Sequence, residues 1–244
     1  CSSHSGESKH IHVLNEWINK TGINIHQLKC GIHNPLDEES SNALLLSGNV
    51  PTQLHNNCAG KHLGMITGCL ANKMSTDKYL DFEHPYQKLI QKTLESFMEL
   101  KIQNNCIGID GCGAPQYAFP LDSIATSMIN LIKEKEKTNK YPNAINIILS
   151  AIKRFPLLIG GNNRFDSAII KSTKGRIFCK GGAEGVLLFA DFEKKIGGVI
   201  KIIDGNSRAI PTIAMQVFIK FNLLSKTEVN ALNHWIKQRL TNHA

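Results

Sequence analysis

Arg176-Ile177-Phe178-Cys179-Lys180-Gly181-Gly182-Ala183-Glu184-Gly185-Val186-Leu187-Leu188-Phe189-Ala190-Asp191 is the stretch on which the fold class turns. Arg176–Lys180 reads as a strand or edge piece. After a glycine-rich turn, Val186–Asp191 alternates apolar and small or polar positions as a half-buried strand does. Gly198–Asp204 repeats the pattern, giving an antiparallel partner. Ser167–Lys171, just upstream, reads as a further strand or edge piece.

Working outward, the remaining apolar positions recur at helical spacing. Residues 8–21 carry Val13, Leu14, Trp17 and Ile18 on one face and close at Gly22. Asp37–Leu46 is a short helix ending before Gly48 and Pro51. Gly60–Asn72 presents Leu63, Met65, Ile66 and Leu70, which puts Cys58 and Lys61 at a helix start. His84–Leu100 is apolar at Leu89, Ile90, Leu94 and Phe97. Ile107–Asp110 is a short strand entering the turn Gly111–Pro115. Ser123–Lys137, Asn143–Arg154, Arg208–Phe221 and Lys226–Leu240 complete the helices. The class is α+β, with a mixed or antiparallel sheet flanked by helices.

With 244 residues and 42% hydrophobic content, the chain can bury a large core as one domain or two small ones. The net charge of +8 invites a nucleic-acid partner. Yet the one dense run, Lys133 to Lys140, interleaves Glu134 and Glu136, the pattern of a solvated helix end. No apolar run nears the roughly 20 residues of a membrane span. Seven scattered cysteines and the lack of a signal-peptide pattern favour a reducing, cytoplasmic setting. Cys30, Cys69 and Cys106 read as buried small hydrophobes.

Four clusters embedded in small residues carry the chemistry: Ser2–Glu7, Asn57–His62, Asp110–Pro115 and Lys180–Gly185. Glycine admits close approach of backbone or ligand, at an entropic cost to folding. Lys180 before two glycines can present its amine to a cleft, a loose relative of the strand-borne Lys-Thr-Gly of penicillin-recognising enzymes. Ser3-His4-Ser5 offers hydroxyls that a base could activate, while Lys-Gly-Gly is equally an ordinary hairpin. Cys58 and Cys112 on glycine-rich turns, with a nitrogen donor, suit tetrahedral zinc. Spacing alone suggests His62 as that donor, and equally allows two unrelated buried thiols.

Taken together and in this order, Ser3-His4-Ser5-Gly6-Glu7, Cys58-Ala59-Gly60-Lys61-His62, Asp110-Gly111-Cys112-Gly113-Ala114-Pro115 and Lys180-Gly181-Gly182-Ala183-Glu184-Gly185 resemble the Rhizobium etli-type L-asparaginase family, the asparaginase II family of bacteria and fungi. Pro156, Gly160-Gly161, Arg164-Phe165-Asp166, Lys201, Asp204-Gly205 and Arg208-Ala209 resemble its later segments. The likeness spans the whole chain, as one family domain over residues 1–244. It implies a serine β-lactamase-like fold, hydrolysis of L-asparagine to L-aspartate and ammonia, and a homodimer. It further implies Ser3 and Lys180 as a catalytic pair, with zinc held by Cys58, Cys112 and, in place of His62, Lys61. His62 and Asp110 then contact substrate or organise the metal shell. A ligating Lys61 must be neutral, which burial and the cation would favour.

The family's first Ser-x-x-Lys motif lies upstream of the Ser-His-Ser-Gly segment. Of the Ser-x-x-Lys stretches here, Ser75-Thr76-Asp77-Lys78 falls in a polar loop and Ser150-Ala151-Ile152-Lys153 also lies downstream of that segment, so the chain reads as a member lacking its N-terminal region. Ala59 stands where serine is common. Two competitors follow. Cys1 could be an N-terminal nucleophile activated by its own amine, or the chain could be an inactive remnant or basic binding module, recognised by salt-sensitive nucleic-acid binding without ammonia release.

Overall fold

The computed structural model describes residues 3–136 and 142–236. The chain divides into two compact units: Cys1–Pro120 with Leu158–Gly161, and Leu121–Leu157 with Asn162–Ala244. Cys1, Lys137–Lys140 of the charge run and the end of the expected Lys226–Leu240 helix lie outside the described residues.

The first unit is built on helices. Helix α1 (Ser8–Thr21) stops at Gly22, whose φ of 68° turns the chain away. It buries His10 and Leu14, and Trp17 Nε1 donates to Thr67 Oγ1 at 3.0 Å. Helix α2 (Glu38–Leu46) is capped by Asp37, which accepts from Ser40 N. Helix α3 (Ala59–Ala71) is the core element, with Leu63, Ile66 and Cys69 fully buried. Leu70, expected on the inner face, is 47% exposed, and Cys69 takes the inward position instead. Helix α4 (Pro85–Met98) likewise turns Leu89 outward and buries Gln87, whose amide donates to Tyr79 O at 2.7 Å. A buried amide is tolerated because that bond satisfies it. Strands β1 (Ile107–Ile109) and β2 (Pro115–Tyr117) pair antiparallel, Ile107 opposite Tyr117. Cys106 beside them is only half-buried, unlike Cys30 and Cys69.

The second unit holds a three-stranded antiparallel sheet. Helices α5 (Leu121–Glu136) and α6 (Pro142–Arg154) precede α7 (Phe165–Ser172). Strands β3 (Ile177–Gly182), β4 (Val186–Asp191) and β5 (Ile196–Lys201) follow in the order β3-β4-β5, with Lys180 opposite Leu188 and Phe189 opposite Gly198. The last strand begins and ends a little earlier than the sequence suggests. Helix α5 packs on β4 and β5. A Cβ at Gly197 would stand 2.8 Å from Ile129 N, so only glycine permits this crossing. Helix α7 packs on β3.

Two expectations fail here. Ser167–Lys171 is not a strand; it belongs to α7, which buries Phe165, Ile169 and Ile170. The i, i+4 recurrence of Phe165 and Ile169 was hidden by its shortness and by β-branched residues, which favour strands locally. The closing helices are also shorter. Arg208–Phe221 resolves into a 3₁₀ turn (Ser207–Ala209) and α8 (Ile210–Lys220), and α9 (Lys226–Ala231) gives way to a 3₁₀ turn at Asn233–Trp235. The whole is α+β. Among the described residues no helix is long and apolar enough to cross a membrane.

Candidate active site and metal centre

The first unit gathers five of the expected residues at the start of α3. Cys58 is its N-cap, and its own N–H donates to Asn56 Oδ1 at 2.8 Å. Lys61 and His62 follow in the first turn. Opposite them, β1 and β2 are joined by a turn closed by Gly113 N donating to Asp110 O at 2.8 Å. Gly113 completes that turn at φ 80°, a conformation glycine adopts without strain. The turn delivers Asp110 and Cys112 to the helix start. Cys58 Sγ, Cys112 Sγ and a carboxylate oxygen of Asp110 lie within 4.8 Å of one another. Lys61 Nζ donates to Asp110 Oδ2 at 2.9 Å.

The electrostatics of this cluster follow from its burial. Cys58 and Cys112 are 7% and 6% exposed. A hydrogen bond from the Cys58 thiol, helped by His62, the Ala114 backbone and Lys61, draws Cys112 down to about 4 against the penalty of burial. The same bond and burial push Cys58 up. Within the pair, Cys112 is the more acidic thiol. Burial lowers Lys61, but Asp110 and the two sulfurs outweigh it and the amine ends raised. Asp110 is lowered, Lys61 overcoming desolvation. His62 is fully buried, with Nδ1 2.6 Å from the Tyr79 hydroxyl.

Two convergent sulfurs, one readily ionised, with a hard oxygen and an amine beside them, form a donor set that fits zinc. Lys61 could join it only after giving up the proton that Asp110 now accepts from. Of the two roles expected for His62, its burial fits the organiser better than the substrate contact.

Ser3 belongs to the same unit. Its backbone has φ 56°, the left-handed region that a non-glycine residue seldom occupies. The segment behind it is fixed: His4 N donates to Asn57 O at 3.2 Å, one residue before Cys58, and Ser5 N to Gly160 O at 2.7 Å. Ser5 Oγ donates to Glu7 Oε1 at 2.7 Å. His4 is fully buried and stacks on His10 at 4.8 Å, and burial with His10 lowers it to about 3.

Lys180 lies in the second unit, on β3. Its Nζ donates to Asp166 Oδ2 at 2.8 Å and to Gly181 O at 2.6 Å. Asp166, in the first turn of α7, also accepts from Gly181 N at 3.1 Å and from Ser167 N at 2.9 Å. Burial would raise Asp166, yet Lys180 and Arg164 bring it below the ordinary carboxylate range. Sequence reasoning singled out Arg164-Phe165-Asp166 only as a segment. An acid fourteen residues before a candidate lysine, where a helix meets a strand, was the available signal. Tyr79 was not singled out at all. Each lysine is hydrogen-bonded to a carboxylate.

Comparison with curated proteins yields no match. The sequence profile of L-asparaginase II matches residues 1–244. The thiol, amine and carboxylate cluster at the start of α3 and the lysine of β3 thus sit in a chain that belongs to the L-asparaginase II family and is, as that membership implies, an amidohydrolase.

Proposed function

We propose that this chain hydrolyses L-asparagine to L-aspartate and ammonia as an asparaginase of the Rhizobium etli type, by acyl transfer. The observation that carries the reading is the meeting of Cys58, Cys112, Asp110 and Lys61 at the start of α3.

In this reading the Ser3 hydroxyl attacks the side-chain amide carbon of asparagine, losing its proton to a base as the C–O bond forms. Backbone N–H groups hold the oxyanion. The C–N bond then breaks, ammonia leaves with a proton supplied through Lys180, and water returns the ester to aspartate and free Ser3. Cys58, Cys112 and Lys61 would hold zinc, with Asp110 and His62 organising its surroundings. When bound, zinc supplies Lewis acidity or fixes the substrate's placement. The fold is read as serine β-lactamase-like, residues 1–244 as one family domain, the assembly as a homodimer and the setting as cytoplasmic.

The test is release of ammonia and aspartate by the purified chain supplied with L-asparagine, with L-glutamine in parallel. Ser3→Ala and Lys180→Ala should each lower turnover by at least about 10³-fold. Near-normal turnover in both variants would remove these roles, and elemental analysis of the same preparations decides the zinc.

A further inference from the structure

Lys180 cannot be understood without Asp166. The carboxylate is 2% exposed and the lysine side chain 19% exposed, so their 2.8 Å contact is shielded from water on the acid's side and open on the amine's. Asp166 uses both oxygens. Oδ1 accepts from Ser167 N, and Oδ2 accepts from Lys180 Nζ and Gly181 N. Every one of these donors suits an ionised carboxylate, which only accepts. Lys180 in turn donates to Asp166 and to Gly181 O, leaving a third N–H for whatever occupies its exposed side.

From this geometry we infer that Asp166 is a positioning residue for the reaction: it fixes Lys180 on β3 as an ammonium, so that Lys180 donates hydrogen bonds and a proton rather than accepting one. The inference rests on the reading of Lys180 as a functional amine, and it deepens that reading by dividing the labour. A lysine paired to a buried carboxylate loses more by giving up its proton than a solvated one does. The base that takes the proton of the attacking hydroxyl is therefore a different group. In chemical terms, the ammonium's proton passes to the departing nitrogen, and the neutral amine is reprotonated from water while the ester is hydrolysed. No bond to Lys180 forms at any stage.

Two measurements on the full chain separate this from a merely structural role. In protein labelled at lysine Cε, with the Lys180 resonance identified by its absence from Lys180→Arg, the amine should keep its charge to higher pH in the wild type than in Asp166→Asn. In the rate profile, Asp166→Asn should lower kcat by about 10²-fold, change KM less, and move the alkaline limb to lower pH. Asp166→Glu, which retains the charge, should restore the alkaline limb even where kcat stays low, and it carries the test if Asp166→Asn does not fold. A Lys180 resonance that titrates at the same pH in the wild type and in the substituted protein would overturn the inference. So would a rate loss uniform across pH. Should no variant or wild-type preparation release ammonia, the titration still decides the Asp166–Lys180 relation, and only the asparaginase reading falls.

Discussion

The molecule contains two lysine–aspartate pairs of nearly equal length in opposite settings. Lys61–Asp110, at 2.9 Å, is about 30% exposed on both sides and ringed by sulfur. Lys180–Asp166, at 2.8 Å, has its acid sealed beneath α7 and tied to two backbone N–H groups. The first carboxylate rides on a turn between two three-residue strands, the second on a helix packed against a three-stranded sheet. A pair of the first kind is open to water on both sides, so separating it costs little. A pair of the second kind favours the ammonium and draws Lys180 back to it after each proton transfer. Equal distances therefore describe different devices, because the surroundings fix what separation costs.

The largest effect should come from breaking the buried pair. Lys180→Ala leaves the Asp166 carboxylate buried without its cation, and should cost about 3–5 kcal/mol of stability by urea unfolding. Replacing both members, as Asp166→Leu with Lys180→Met, should recover most of that loss, since a well-packed apolar pair avoids the desolvation altogether. If the single substitution costs no more than a surface change does, Asp166 is not sealed as described.

Next in size is metal affinity. Cys112→Ser should lower zinc affinity by at least about 100-fold, beyond the loss expected from an outer-shell contact. Zinc should then raise the melting temperature of the wild type and leave that of the variant unmoved. Cys30→Ser is the control. Cys30 is buried in the same core, its thiol raised by burial to about 11, and it lies outside the converging ligand atoms. Equal zinc content in wild type and Cys112→Ser would dissolve the contrast, because the first pair would then have no cation to yield to.

A third effect separates the units by pH. Asp110 and Asp166 are both lowered, so their contribution is present above the ordinary carboxylate value and lost only as pH falls through the depressed folded value. Neither changes stability between pH 7 and 5. His4 behaves differently: folded, it stays neutral down to about 3, whereas the unfolded chain takes up the proton from 6.5 downward. The unfolded state binds more protons in that window, so stability falls with pH, by about 2 kcal/mol from pH 7 to 5. His4→Asn keeps an acceptor for Gly6 N, which now donates to His4 Nδ1 at 3.1 Å, and should remove most of this slope. An unchanged slope would mean that His4 is not the buried neutral group the first unit depends on.

How much of this was legible in the sequence follows from the range of the interactions. Helix ends marked by Asp37 and Gly22, and the strand over Val186–Asp191, are local and were readable from spacing and caps. The glycine-rich turn that delivers Asp110 and Cys112 was readable as well. What Lys61 and Lys180 bond to was not, because each partner is fixed by packing between separate elements, 49 residues away for Lys61 and 14 for Lys180. The strand expected over Ser167–Lys171 illustrates the same limit. Ile169 and Ile170 favour extended backbone locally, and only packing on β3 turns the segment into the helix that carries Asp166. The buried Gln87 and the exposed Leu89 and Leu70 show that helical periodicity gives the element but can misplace its inner face by one position.

The smallest effect is the sharpest test of the comparison. In zinc-free protein, Asp110→Asn removes the charge facing Lys61 while leaving an oxygen that can still accept from Gly111 N, as Asp110 Oδ1 does at 2.7 Å. A pair roughly 30% exposed on each side is screened by water, so its loss should cost no more than about 1 kcal/mol. The sulfurs partly compensate, since Lys61 also interacts favourably with Cys58 and Cys112. The identical change at Asp166 meets no such screening and should cost several times more. Urea midpoints of the two Asp→Asn variants, measured side by side without metal, give that ratio. Were it near one, exposure would not be what distinguishes the pairs, and the readiness of Lys61 to leave Asp110 for a cation would lose its physical basis.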